Sequence, residues 1–415
     1  MPKFTPDRFP PGFFDLPADA GQGLPTKVIE EWTRSAQTRE VAVRILEPHT
    51  LNGTVVSSDA AGLTRLTRAR PLVEILALIN RPKELIHAYG RAAGGRAIGT
   101  WAADNTQMFY PGEVGAGTVV GMVRTVQARL EDERAVGVGF AAHRGAFFEL
   151  SGGLYGPDAD RVETVAEEHT EAGELVITGD VARALPASHG FTLGPRVDLA
   201  TGFGEVFRVA AGPALAGLEP TEWHYPTPFD DAFYEVLRSF MAQAADQGRM
   251  SVPSPEYRER AVVLIERERD LRDVPEVAVL NDLALAAAAR RIGTALLAQH
   301  GGEEIKTAGL IAIHTFAEAG AAAAFAQDYR RAFAEQGVAT RAGIDVGEVL
   351  IFDLGLGRRD IAGSPINVAS KLAQDCGEFG KIYLSDEATR RARLERQSQT
   401  VRFDVSGVEL KARQL

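Results

Sequence analysis

Two carboxylates and two lysine-bearing segments are the parts of this chain whose residue types and spacing suit chemistry. Asp59 closes a strand-like run, Thr54 to Ser58, and precedes the small-residue turn Ala60, Ala61, Gly62, Leu63, Thr64. Asp104 sits between Ala103 and Asn105, in a turn joining two further strand-like runs. Carboxylate oxygens are the hard donors that divalent cations take, while Asp at a strand end or beside Asn is equally ordinary turn chemistry. Further along, Lys306 lies in the segment EIKTA, and Asp360, Asn367 and Lys371 follow at spacings of seven and four residues. An ammonium, a carboxylate and an amide offer donors and acceptors to a bound molecule. Asp and Asn at a loop-to-helix boundary also serve as caps, and a lysine on a strand edge is often just a solvated charge.

These residues need elements to hold them. Apolar spacing predicts a helical segment over 26–46, a strand at Thr54–Ser58 and a helix from Leu72 to Tyr89 interrupted by Pro82. Strands follow at Arg96–Trp101 and Thr106–Tyr110, then a helix over Gly117–Glu133, strands at 135–141 and 145–150, and a strand at Glu174–Thr178. Six prolines between residues 211 and 257 mark a linker around one short helix, 229–245. The second half repeats the first. Thr54 and Ala261, Gly156 and Gly363, and Gly173 and Gly380 all stand 207 residues apart within similar segments. The expected organisation is an N-terminal extension (1–46), a first domain (47–210), a linker (211–257) and a second domain (258–415). Each domain has β-α-β-β-α-β character in an α/β (α+β) fold. Each has a sheet face to cover, so the two are expected to pair within the chain.

Composition narrows the functions available. The chain has 415 residues, 45% hydrophobic and 24% charged, a balance that suits soluble globular cores. A formal charge of −11 disfavours general nucleic-acid binding, which needs a basic face. The single cysteine, Cys376, fits a reducing cytosol. The apolar stretches 277–298 and 308–326 are interrupted by Asp282, Arg290, Arg291, His314 and Glu318, which argues against membrane spans. Residues 1–25 lack the apolar core of a signal peptide. The expected protein is cytoplasmic, with no nucleic-acid or membrane partner. His143 and His314, in apolar strand contexts, read as core residues.

With the repeat in view, the chain resembles the class III nucleotide cyclase family. The segment from Arg359 to Leu372, RDIAGSPINVASKL, is similar to the family stretch that carries an acidic residue, an Asn and a basic residue. The segment from Gly53 to Thr64 resembles the family's first metal-binding strand and its phosphate-binding turn. The resemblance implies two ferredoxin-like cyclase-type domains packed as an intrachain pseudo-heterodimer, acting on ATP with two Mg2+ or Mn2+ ions. Asp59 and Asp104 would hold metal, and backbone N–H groups of Ala61, Gly62, Leu63 and Thr64 would cradle phosphate. Lys306 and Asp360 would read adenine, Asn367 would orient the ribose, Lys371 would neutralise the α-phosphate, and Lys411 would reach the terminal phosphates. The family pattern usually has Arg where Lys371 stands.

Under the resemblance, each domain lacks what the other keeps. Glu266 and Leu310 occupy the second domain's metal positions, with a one-residue hairpin insertion needed to set Asp104 opposite Leu310. Asp160, Thr164, and Thr100 or Gly99 replace the Asn, the basic residue and the purine lysine in the first domain. The implied function is an adenylate cyclase with one site per chain and no need for a homodimer. The alternatives are a nucleotide-binding pseudocyclase and, disfavoured by Lys306 with Asp360, a guanylate cyclase.

Overall fold

The computed structural model describes residues 24–60, 72–99, 101, 105–133, 135–195, 204–220, 224–227, 231–244, 257–269, 274–353, 359–405 and 408–415. They form two compact units: Pro48–Val252, the first unit, and Met1–Glu47 with Pro253–Leu415, the second.

The described chain begins with α1 (Thr26–Arg34) and α2 (Arg39–Leu46). The helical pattern over 26–46 is therefore broken. Gln37 takes a positive φ of 54°, and Thr38 Oγ1 accepts the Val41 N–H at 3.4 Å as the cap of a new helix. The first unit then runs β1 (Thr50–Ala60), α3 (Leu72–Ala92), β2 (Arg96–Ala97), β3 (Thr106–Pro111), α4 (Ala116–Asp132), β4 (Val138–Leu150) and β5 (Gly153–Tyr155). It continues through α5 (Pro157–Glu168), β6 (Leu175–Thr178), α6 (Gly179–Arg183), β7 (Thr192–Pro195), β8 (Val206–Ala211) and α7 (Asp231–Ala244). The second unit repeats this with β9 (Tyr257–Arg267), α8 (Pro275–His300), β10 (Glu303–Ala308), β11 (Ile311–Phe316), α9 (Ala319–Ala334), β12 (Thr340–Asp353) and β13 (Arg359–Ala362). It ends with α10 (Ser364–Ser370), β14 (Ile382–Ser385), α11 (Asp386–Ala392), β15 (Gln399–Val405) and β16 (Val408–Gln414).

In the described residues each unit holds a sheet in one strand order, β2-β3-β1-β4-β6-β8-β7 and β10-β11-β9-β12-β14-β16-β15. β5 and β13 pair at equivalent places, with β4 and β12. β4 and β12 run parallel to β6 and β14, and the pairings of β1 and β9 are antiparallel. Two strands were expected over 135–150, yet β4 is continuous, because Arg144 and Gly145 stay paired with Thr54 and Gly53.

The central strands are buried on both faces. Val55 joins Phe147, Val162 and Val165 on one side, while Val56 joins Ile86, Val119 and Val123 on the other. In the second unit, Val262 and Leu264 pack with Ile366 and Ala369 of α10. The N-terminal helices pack on α8: Trp32 is fully buried and donates its indole N–H to Asn281 Oδ1 at 2.9 Å. No described helix is long and apolar enough to cross a membrane.

His314 stands in β11 where the first unit has Met108; each pairs with the valine at the matching place in its central strand. It is fully buried against Phe325 and Tyr329, and among the described residues neither ring nitrogen meets a hydrogen-bond partner. Burial pushes its pKa down to about 3. The folded unit thus keeps His314 neutral while the unfolded chain takes up a proton below its ordinary pKa of 6.5. Stability is full above that value and falls toward pH 3 by up to roughly 1.4 kcal/mol per pH unit. His314→Met, the first unit's solution, is expected to raise stability by roughly 1–3 kcal/mol by removing unpaired buried nitrogens. It is also expected to flatten the loss between pH 7 and 5, read from urea midpoints at both.

Candidate functional site

The strand pairings set the two units against one another residue by residue. β1 matches β9, and β6 matches β14, at 207 residues; Thr50 aligns with Tyr257 and Leu175 with Ile382. Ser58 pairs with Thr106, and its counterpart Ile265 pairs with Ala312, so β3 and β11 differ by 206. Continued along the sequence, this places Asp104 at the position of Leu310. Asp104 itself, Ala61, Gly62, Leu63, Thr64 and Thr100 lie outside the described residues.

Asp59 ends β1, half-buried, facing Gly139 on β4. A Cβ on Gly139 would come within 1.9 Å of Thr170 Oγ1, so Thr170 fills the place that a side chain on residue 139 would take. At the matching place in the second unit, Glu266 faces Arg341. The guanidinium binds Glu266 Oε2 through Nε at 2.9 Å and Nη2 at 2.7 Å, donates to the Gly377 carbonyl at 2.8 Å, and lies over the Phe379 ring. Burial raises the Glu266 pKa and Arg341 opposes the shift. Next to it, Arg267 is buried, pairs with Asp282 at 2.6 Å and donates to the Gly309 carbonyl at 3.2 Å, tying down the β10–β11 turn. A hard cation needs carboxylate oxygens with space around them. At Glu266 a guanidinium already supplies the positive charge, whereas the residue facing Asp59 is a glycine. Among the described residues no group of three His, Cys, Asp or Glu is placed to hold a metal ion.

Lys306 and Asp360 are brought together from β10 and β13, Nζ to Oδ2 at 3.1 Å. Asp360 is buried, and its other oxygen accepts the Ile361 N–H at 2.9 Å. A bulge at the buried Ile305 shifts the β10 register and sets Lys306 opposite Ile313. Carried across to β3, that place belongs to Ile98, whose N–H bonds the Gln107 carbonyl, rather than to Gly99 or Thr100. Ile98 is buried and aliphatic, so the first unit has no cation there. Asp360 aligns with Gly153, which has no side chain to accept. The turn between the paired residues Ile98 and Gln107 is two residues longer than that between Lys306 and Ile313, not one.

Asn367 is exposed on α10, and the helix then widens into a π turn over Lys371–Asp375, where the Cys376 N–H reaches the Lys371 carbonyl. This helix lies so close to β12 that a Cβ on Gly343 would sit 1.9 Å from the Ala369 carbonyl oxygen. The first unit has Ala141 there and carries the ordinary helix α5, in which Thr164 Oγ1 donates back to the Asp160 carbonyl. Lys371 pairs with Asp375 at 3.3 Å. Lys411, exposed on β16, pairs with Asp386 of α11 at 2.8 Å. Sequence reading missed Arg341, Arg267 and the π turn. None carries a local signal; each role depends on which strand or helix lies alongside.

Comparison with solved structures finds a class III adenylyl cyclase-like ATP-binding protein from Pseudomonas aeruginosa. It superposes with a TM-score of 0.50 at 11% identity, over 82% of this chain and 85% of that one. The class III nucleotide cyclase fold is present. At 82% coverage the match extends over both cyclase-type units. An adenylate/guanylate cyclase/hydrolase from Silicibacter pomeroyi is 24% identical over 38% of this chain and 96% of its own, with a TM-score of 0.32. A guanylate cyclase domain from Catenaria anguillulae in complex with GTP is 15% identical over 38% and 97%, also at 0.32. No protein-family model and no curated protein sequence matches the chain.

The Glu266–Arg341 pair yields a stability prediction. Arg341→Met strands a buried carboxylate and is expected to cost roughly 3 kcal/mol or more. Adding Glu266→Gln should recover most of that loss in a denaturant double-mutant cycle. Additive effects would show that the two do not interact.

Proposed function

We propose that the chain is an adenylate cyclase that converts ATP to 3′,5′-cyclic AMP and pyrophosphate at one site built from the complementary halves of its two units. The observation that carries this reading is the sorting of the losses. The first unit has Asp59 at the end of its first strand and, by sequence, Asp104 in the matching turn, but Ile98, Gly153, Asp160 and Thr164 where the second has Lys306, Asp360, Asn367 and Lys371. The second unit has the Lys306–Asp360 pair but Leu310 and an arginine-bound glutamate in the metal positions. Independent decay of two sites has no reason to leave non-overlapping halves.

The chemistry assigns each residue a task. Lys306 donates to a ring nitrogen of adenine and Asp360 accepts from its exocyclic amine, a pattern that guanine reverses. Asn367 orients the ribose so that the 3′-hydroxyl attacks the α-phosphorus in line with the departing pyrophosphate. Lys371 moves from Asp375 to the α-phosphate as negative charge develops. Asp59 and Asp104 are the residues that would hold two Mg2+ or Mn2+ ions, whose charge would offset the triphosphate and acidify the hydroxyl. Backbone N–H groups of Ala61, Gly62, Leu63 and Thr64 cradle phosphate oxygens, and Lys411 reaches the terminal phosphates.

One observation favours a second reading, an ATP-binding cyclase-like protein without turnover. Lys371 is a point charge already held by a carboxylate, where the family resemblance calls for the bidentate fork of Arg. Purified protein with ATP and Mn2+, followed by chromatography, separates the two. Cyclic AMP and pyrophosphate are expected, with GTP a poor substrate, and Asp59→Ala should lower kcat by roughly a hundredfold or more. Saturable ATP binding with no product would establish the second reading. With one complete site per chain, turnover per molecule is expected to stay constant on dilution; a fall at low concentration would show that a second chain is required.

A further inference from the structure

We propose that Arg359 is a positioning residue for the pair Lys306–Asp360, and that it sets how sharply the second unit tells one purine from another. The inference rests on the reading of that pair as the purine contact. Lys306 sits on β10, an edge strand that in the described residues pairs only with β11, and Asp360 sits on β13, which pairs with β12. Among the described residues no backbone ladder joins β10 to β13, so side chains set their separation. Arg359 supplies such a link. Its Nη1 donates to Glu303 Oε2 at 2.6 Å, and its Nη2 donates to the Glu304 carbonyl. Glu303 Oε1 also lies 3.9 Å from Arg260 Nη2 on β9. The Glu304 side chain turns to α8 instead, with Oε1 3.5 Å from Arg290 Nε.

The guanidinium grips β10 at the step before its bulge. Glu304 still pairs with His314, Ile305 is the extra residue, and Lys306 resumes the ladder opposite Ile313. A bulge re-aims the side chains around it and interrupts the ladder that would otherwise hold them. The first unit shows the same strand without a bulge. There Arg96, Ala97 and Ile98 stand opposite Phe109, Met108 and Gln107 with no extra residue. Arg96, the counterpart of Glu303, is held by both oxygens of Glu149 on β4 at 2.7 and 2.9 Å. Gly152 is the counterpart of Arg359, in a tight turn where Ser151 and Gly152 take φ of 51° and 83°. The bulge, the Lys306–Asp360 pair and Arg359 therefore occur together in the second unit, and the first has none of them.

The strap matters once a base enters. Lys306 Nζ and Asp360 Oδ2 bond each other at 3.1 Å, and a purine that meets both must break that bond. Asp360 keeps its direction through the Ile361 N–H. Lysine has a long flexible stem, so the place of its ammonium then depends on where β10 stands. Arg359 fixes that place with a planar fork of set geometry, alongside the packing of Ile305 and Ile361 in one core.

The test is calorimetric binding of ATP and of inosine triphosphate to the full-length protein in EDTA. The two nucleotides share ribose and phosphates and differ where the pair reads. Inosine carries a ring N–H and a carbonyl in place of adenine's ring nitrogen and amine. Wild type is expected to prefer ATP by roughly ten- to a hundredfold, the range for mispaired hydrogen-bonding groups. Lys306→Met serves as the reference and should lose the preference. Arg359→Met is expected to bring the ratio to within about threefold, through weaker ATP binding, with inosine triphosphate held within about twofold of wild type. Arg359→Lys returns a cation to Glu303 without the fork and should recover part of the preference. Glu303→Gln takes the charged partner from Arg359 and should lower the ratio in the same direction, which keeps the test open if Arg359→Met does not fold. A wild-type ratio in folded Arg359→Met and Glu303→Gln, with the preference lost in Lys306→Met, would overturn the inference and leave the purine pair standing. Equal weakening of both nucleotides in Arg359→Met would also overturn it, because a merely structural role gives that result. A preference unchanged by Lys306→Met, or no ATP binding by wild type, would overturn the purine assignment itself, and the inference with it.

Discussion

The ends of β1 and β9 stand where they do because the interiors of those strands permit only one register. Val55 and Val56 enter different cores on opposite faces of one sheet, so a slip of one residue would exchange every side chain between them. A central strand buried on both faces cannot adjust locally. Asp59 and Glu266 are therefore fixed at corresponding places, and differences between the two sites have to come from what the neighbouring strands bring to them. β4 brings a glycine and β12 an arginine.

That single difference has a large electrostatic consequence. A carboxylate partly removed from water needs a positive partner. Glu266 has one inside its own fold, through two guanidinium nitrogens. Asp59 faces a glycine instead, and Thr170 fills the place of the missing side chain. The same logic runs in reverse at the other half. Lys306 and Asp360 neutralise each other at 3.1 Å, and Ile98 and Gly153 hold those places in the first unit without any charge.

The N-terminal residues belong to the second unit although they precede the first along the chain. Residues 24–47 pack as part of the second unit, with Trp32 bonded to Asn281, and only the turn Glu47–His49 separates α2 from β1 of the first. The segment after β8 stays with the first unit: Tyr225 bonds Asn80, and Tyr234 on α7 bonds Glu84. Composition marked 211–257 as a linker because prolines and polar residues punctuate it. Its buried aromatics act as core instead, since a proline-rich stretch can lie extended along a helix when its side chains find partners there.

By itself the sequence determined the duplication, the strand and helix types, and the residues worth watching, because those depend on local period and on residue chemistry. The spacing of Asp360, Asn367 and Lys371 was legible for that reason, as was the strand that ends at Asp59. The length of the insertion before Asp104, the identity of Ile98 as the counterpart of Lys306, and the break at Thr38 were not. Each depends on hydrogen-bond register or on capping, which a string of residue types does not encode. Arg341 against Glu266 lies further still from sequence, 75 residues apart along the chain. Tertiary structure alone decided that pairing, because only the closing of β12 against β9 brings the guanidinium to the carboxylate.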